Sequence, residues 1–526
     1  MTSRQWPMFI VVLGFASACV TVRAATEPTP PRQAVGTAWS TPANVIDLRV
    51  EPTLKQHAVQ LRTPCTDEVF IRRVFIDLIG TLPTPKEVDA FLQDPRPDKR
   101  ATLIDALFTR EEFADYWALK WCDVLRVKSE FPSNLWPNAV QAYHRWIYEA
   151  IRDNRPYDQF ARELLTASGS NFRVPPVNFY RALSSREPFG IAKAVALNFM
   201  GTRLERWPEA RRNDMALFFS RVAYKKTGEW KEEIVYASPE ATEPLKAVFP
   251  DGVTTIIPAD ADPRQTFANW LLAPGNPWFS RNIVNRIWAW TMGHGVIHEA
   301  DDIRADNPPA CPALLTCLQD ELVKSHYDLR HIYRLICNSR TYQQSSVPNG
   351  DITDPAVQFA HYTVRRLDAE VLIDALDWIG GSGESYSSAI PEPYTFIPKE
   401  NRTIALADGS ITSAFLANFG RPARDTGLES ERNNQPADAQ SLYLLNSTDI
   451  QRKIAGSPQL GKIIRTSQGK PVEMIRNIYL LLLSRAPTPA ESTTAEQYLK
   501  ANGQSGPAAN DLAWALINSK EFLYRH

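Results

Sequence analysis

Apolar residues recur at helical spacing along most of this chain. The clearest case is Asn276–Pro309, NPWFSRNIVNRIWAWTMGHGVIHEADDIRADNPP. Phe279, Ile283, Val284, Ile287, Trp288 and Ala289 fall on one side of a predicted helix, and Arg281, Asn282, Asn285 and Arg286 on the other. Asn276-Pro277 predicts its start, and Gly293 and Gly295 its end. Nearer the N-terminus, Val69, Phe70, Val74, Ile76, Leu78 and Ile79 predict a helix with a heavily buried face. Thr84-Pro85-Lys86-Glu87 predicts a capping box with Pro at the first helical position. Further helices follow at 103–107, 113–128, 136–152, 157–166 and 192–200.

The helical period breaks in three places. Val45–Val50 predicts a short strand. Glu233–Tyr236 and Val253–Pro258 predict strands in a connector. Residues 380–413 carry Gly, Ser and Pro in a pattern that predicts a long loop. The fold class is therefore mainly α, a multi-helix two-domain protein. A helical domain over 63–227 is followed by a β-containing connector over 228–262 and a second helical domain over 263–526.

An internal echo adds to this. Ile71–Glu87 (IRRVFIDLIGTLPTPKE) matches Ile475–Glu491 (IRNIYLLLLSRAPTPAE) without a gap. Downstream of each, Leu103–Phe113 (LIDALFTREEF) matches Leu512–Phe522 (LAWALINSKEF), with a weaker third instance at Ile332–Tyr342. The pattern predicts a duplicated helical hairpin at the two ends of the chain. Two copies are too few for a repeat array.

Composition changes the picture in two respects. The formal net charge of −1 argues against a nucleic-acid partner. The 40 Pro favour many short helices over a few long ones. Residues 1–24 have the form of a signal peptide: Arg4, an apolar run from Met8 to Val20, then Val22-Arg23-Ala24. That run is too short to span a membrane comfortably, so the protein is predicted to be exported, periplasmic or secreted, and not membrane-spanning. The alternative is lipid attachment at Cys19. Residues 25–62 are predicted to be a linker. Export permits disulfides among the five remaining cysteines. Cys317 and Cys337 lie symmetrically about the predicted turn at 325–328, which predicts a disulfide or at least Cα atoms within about 7 Å.

The candidate chemistry is polar. Arg281, Asn282, Asn285 and Arg286, with Asp301, Asp302 and Arg304 beyond the helix, form a strip suited to a carboxylate, a sulfate or a sugar. The plainer account pairs its arginines with Asp301, Asp302 or Asp306 to pin a loop. Arg421, Arg424, Asp425, Glu429, Glu431 and Arg432 form a second charged segment, readable as an acid–base site or as a salt-bridged loop. A third strip holds Arg365, Arg366, Asp368, Glu370 and Asp374, where pairing of Arg366 with Glu370 is the plain account. His294 and His298 lie four apart, but the flanking glycines argue against a helix there, and no metal site is predicted. No phosphate loop, nucleophile elbow, dinucleotide fingerprint, H-E-x-x-H, C-x-x-C or C-x-x-C-H is present, and no cofactor is predicted.

Several segments carry a family resemblance. They include FIRRVFIDLIGTLPTPKEVDAFL, FADYWALKWCDVLRV, NPWFSRNIVNRIWAWTMGHGVI, YDLRHIYRLICNSRTYQQSS, RRLDAEVLIDAL and FGRPARDTGLESERNN. Residues from about 65 to 225 resemble the planctomycete cytochrome-associated domain of unknown function, and those from about 263 to 524 the planctomycete-specific domain that usually follows it. The resemblance implies an exported, mostly helical protein of bacteria rich in sulfatases and polysaccharide-degrading systems. Many relatives carry C-x-x-C-H just after the Phe-Leu/Met-Gly that ends the first domain. Here Phe199-Met200-Gly201 is followed by TRLERWPEARRND, without Cys or His, which puts a redox role in doubt. The expectation is an accessory or binding protein in polysaccharide handling or the cell envelope, with a glycan or another exported protein as partner. The alternatives are a carboxylate-dependent hydrolase acting on glycans and, disfavoured, an electron-transfer partner.

Overall fold

A computed structural model describes residues 39–61, 63–240, 242–347, 355–467, 469–503 and 506–526. The predicted signal peptide, Cys19 and residues 25–38 and 62 of the predicted linker lie outside them. The described chain is mainly helical. Side-chain caps set many of the helix starts. Thr66, Thr84, Asp328, Ser339, Ser447, Thr488 and Ser519 each accept a backbone N–H two or three residues into the following helix.

The strand expected at Val45–Val50 is a helix, Asp47–Gln56. Asn44 Oδ1 accepts from the Ile46 amide at 2.9 Å and opens it. Ile46, Val50 and Leu54, four residues apart, are all buried, so one helical face decides the conformation over the strand preference of Ile and Val. The helix packs on Pro312–Lys324, and its Asp47 carboxylate accepts from the amides of Arg340 and Thr341.

The β structure begins earlier than expected. Val222–Lys226 pairs antiparallel with Glu233–Ala237, which pairs in turn with Gly169–Ser170. Two of the three strands therefore lie inside the first helical region, to which this sheet is tied. A separate hairpin joins Leu245–Val248 to Thr254–Ile257.

The helices on either side of this β region share one continuous core from Ile46 to Phe522. Aromatic rings knit the halves together. Trp117 lies 4.3 Å from Tyr333 and 5.6 Å from Trp290, and Tyr157 stacks on Phe279 at 4.7 Å. The Phe279–Met292 helix is preceded by an Asn276 turn, whose Oδ1 accepts from the amides of Trp278 and Phe279. Gly293 ends the helix at φ 91°, as its position predicts.

The expected disulfide is not formed. Cys317 and Cys337 are both free thiols. Cys337 is buried, whereas Cys317 is partly exposed with its sulfur near the Val45 carbonyl. Equal distance from a turn sets the height of two residues in a helical hairpin but leaves open the face on which each projects.

Candidate anion-binding cleft

A short ladder builds the charged centre of the molecule. Arg365–Arg366 pairs antiparallel with Tyr524–Arg525, and Arg365 stands directly opposite Arg525. Like charges so placed repel. Asp77, buried on the Asp67–Ile79 helix, resolves this: its Oδ1 accepts from Arg365 at 3.1 Å and from Arg525 at 3.0 Å. Tyr342 and Tyr362 donate to its other oxygen.

Asp368 precedes the Ala369–Gly380 helix, yet its carboxylate does not cap that helix. It accepts instead from Lys120 and Tyr116 on the Glu111–Val124 helix, from Arg525, each at 2.8 Å, and from Asn434 at 2.6 Å. Burial alone would raise its pKa, but the charges of Lys120, Arg525 and Arg432 outweigh burial and hold it well below the carboxylate range. Arg432 bridges Asp123 and Glu370, at 2.6 and 2.7 Å. Although burial opposes the charged form, these carboxylates raise its pKa.

The ion pairs join into one network. Six cations, Lys120, Arg365, Arg421, Arg424, Arg432 and Arg525, surround four carboxylates, Asp77, Asp123, Asp368 and Glu370. Beside it opens a polar cleft of ≈ 300 Å³. Its walls include Lys120, Trp290, Arg365, Arg366, Asp368, Glu429, Arg432, Asn434 and Arg525. Arg366 adds a cation: its guanidinium meets only the carbonyls of Phe419, Asn433 and Asn434. Among the described residues its Nη1 has no hydrogen-bond partner, and burial lowers its pKa against the pull of Asp368. Glu429 is spoken for, accepting from Arg286 at 3.2 Å and from the Trp290 indole at 3.0 Å. The cleft is thus bordered by excess positive charge, which suits an anionic group.

The residues singled out in the sequence are distributed unevenly around this cleft. Of the first two groups only Glu429 and Arg432 line it, with Arg365, Arg366 and Asp368 of the third strip. Asn285 is buried and brackets Ile297, accepting from its amide and donating to its carbonyl. Asn282 donates to the Asn198 carbonyl at 2.7 Å. Arg281 is partly buried, and among the described residues its Nε has no hydrogen-bond partner. Asp301 and Asp302 do pin a loop, but with other arginines than the helix supplies. Asp301 pairs with Arg203 at 3.0 Å, and Asp302 with Arg206 at 2.7 Å. Both arginines come from the segment just after Phe199-Met200-Gly201. Arg304 bonds Asp306 and also approaches Asp302. Arg421 donates to the carbonyls of Ile411 and Asp408, and Arg424 to Asp123 at 2.8 Å. Glu431 accepts from the amides of Asp425 and Thr426. The expected Arg366–Glu370 pair is not made: Glu370 serves Arg432 and Arg421.

Sequence reasoning missed Lys120, Asn434, Tyr524 and Arg525 as neighbours of the cleft. It saw Arg365, Arg366 and Asp368 as a strip, without knowing what lay opposite. Their R-R-x-D pattern was the available signal; the strand partner 157 to 160 residues away was not.

This is a mainly helical protein whose two halves share a core and close a charged cleft between them. Residues 45–222 match the family model PSCyt2, protein of unknown function (DUF1549), and residues 263–499 match PSD1, protein of unknown function (DUF1553). The chain belongs to the family in which a PSCyt2 domain is followed by a PSD1 domain. No curated protein and no solved structure matches it. Lys120 reaches the cleft from the PSCyt2 region, whereas Trp290, Arg365, Arg366, Asp368, Glu429 and Arg432 belong to the PSD1 region. Among the described residues, no helix is long and apolar enough to cross a membrane.

Proposed function

We propose that this is an exported binding protein that takes an anionic group, a sulfate or carboxylate carried on a glycan, in the cleft between its domains. In this reading it serves as an accessory in polysaccharide handling or at the cell envelope. The observation that carries the proposal is the charge imbalance on the cleft wall: the cations Lys120, Arg365, Arg366, Arg432 and Arg525 against the carboxylates Asp368 and Glu429, with Arg366 in no ion pair among the described residues. A volume of ≈ 300 Å³ is at the small end for ligand sites and suits one sugar-sized group. Export rests on the signal-peptide pattern of residues 1–24. Hydrolysis by paired carboxylates has less support, because Asp301, Asp302 and Glu429 each face an arginine and Glu431 caps backbone amides.

Calorimetric titration of the chain from Ala25 onward with sulfated, uronate-bearing and neutral oligosaccharides tests this reading. Binding of the anionic sets alone is expected, weakening as salt rises. Arg366→Met is expected to lower affinity by about tenfold, the worth of one charge-assisted hydrogen bond. Equal retention of neutral and anionic sugars, or an affinity unchanged in Arg366→Met, overturns it.

A further inference from the structure

Behind Glu429, away from the cleft wall, two more arginines are buried with donors unused. Arg126 and Arg286 are 5% and 0% exposed. Among the described residues no carboxylate lies at ion-pair distance from Arg126. Its Nε donates to the Thr426 carbonyl at 2.8 Å, one Nη reaches Asn198 Oδ1 at 3.5 Å, and Nη1 has no acceptor. Arg286 spends Nη1 on Glu429, while among the described residues its Nε and Nη2 have no acceptor. The amide nitrogen of Asn198, also buried, has none either.

These donors sit within one ring of contacts. The 426–429 turn covers both guanidinium groups, through the Thr426 carbonyl and the Glu429 carboxylate. Asn198 touches Arg126 through its side chain and Asn282 through its carbonyl. Asn282 lies one helical turn before Arg286. Burial, with the nearby Arg286 charge, outweighs the pull of Glu431 and Tyr143 and lowers the Arg126 pKa to about 10. Two like charges in the interior with open N–H groups call for an acceptor that also carries negative charge.

We propose that the protein holds a small inorganic anion, of halide size, between the guanidinium groups of Arg126 and Arg286 beneath the 426–429 turn. A small ion is named because the site is enclosed: Arg126, Arg286 and Asn198 are all buried, and the Gly427 backbone lies so close to Arg126 that an added Cβ would sit 3.0 Å from its guanidinium carbon. The anion accepts from Arg126 Nη1, Arg286 Nε and Nη2 and Asn198 Nδ2, and offsets the charge that Glu429 leaves unbalanced. This site goes beyond the cleft reading and needs no glycan.

The test is thermal unfolding of the chain from Ala25 onward at constant ionic strength, with gluconate replaced stepwise by bromide. A saturable rise in Tm on the order of 2 °C is expected. The rise should vanish in Arg126→Met and persist in Arg366→Met, whose lesion is confined to the cleft. Should Arg126→Met fail to fold, crystals of the unaltered chain in bromide decide: an anomalous peak within hydrogen-bonding reach of both guanidinium groups is expected. A Tm indifferent to anion identity, or ordered water alone at that position, overturns the proposal whatever the cleft is found to bind.

Discussion

The hairpins at 67–93 and 471–501 share their geometry down to the turn. Gly80 and Ser484, which align, both have positive φ, 60° and 58°. Thr84 and Thr488 form the same capping box with Glu87 and Glu491. Arg110 bridges Glu87 and Glu112 while lying over Phe75; Arg485 bridges Glu491 and Glu521 while lying over Tyr479. Every one of these partners aligns except the arginine, which enters from a different place in each copy. The copies diverge in what they bury. Asp77 of the first serves two arginines and two tyrosines at the centre of the protein; its counterpart Leu481 is plain core. Arg72 is buried and reaches the Leu482 carbonyl of the second copy, whereas its counterpart Arg476 pairs with Asp89 at the surface. The comparison separates two layers: capping and turn chemistry are kept by local geometry, and interior charge is free to specialise.

The largest expected effect breaks the comparison at its centre. Asp77→Leu gives the first hairpin the residue of the second and leaves Arg365, stripped of its ion pair, facing Arg525, which keeps only Asp368. It should destabilise the protein by about 3–5 kcal/mol in denaturant unfolding. A smaller loss, about 2 kcal/mol, is expected from Gly80→Ala. The left-handed backbone penalises the new side chain, and its Cβ would sit 2.6 Å from the buried Tyr116 ring. The matching change in the second copy has the opposite sign. Ser484→Gly relieves the same backbone penalty and should stabilise by about 1 kcal/mol, less the long contact of its hydroxyl to Arg72 at 3.5 Å.

The smallest effect is a pH dependence. Burial would raise the Glu491 pKa, but hydrogen bonds from Arg485 and Thr488 and the Arg485 charge bring it down to about 2 from 4.5. A carboxylate depressed on folding contributes stability above its unfolded pKa and loses it as the pH falls through the folded one. Unfolding temperatures should therefore drop between about pH 4.5 and 2, and Glu491→Gln should flatten that slope. Its worth is below about 1 kcal/mol because the pair is partly open to water.

Much of the fold was legible because it is written locally. The Pro-Thr-Pro-x-Glu boxes, the Gly293 stop and the apolar stripe of Phe279–Trp290 depend on neighbours within a few residues. The helix at Asp47–Gln56 was misread because Val45, Ile46 and Val50 favour a strand in isolation, and only burial of Ile46, Val50 and Leu54 on one face reveals the period. The cleft was legible in fragments. Glu429 and Arg432 stood out by charge, but Lys120 and Arg525 reach it from residues 248 and 157 away from Asp368, and no local pattern carries such information. The expected Cys317–Cys337 disulfide is absent for a related reason, since a turn fixes height along a hairpin and leaves azimuth to the core.

The bond from Arg525 to Asp77 spans 448 positions. On the ribosome, Asp77 emerges long before its cation exists, and must wait with a charge that the finished interior holds only when paired. The cleft is therefore assembled last, after Tyr524 and Arg525 arrive to zip onto Arg365 and Arg366. A nascent chain halted short of residue 524 would have both domains largely synthesised and the cleft still without its Tyr524–Arg525 wall.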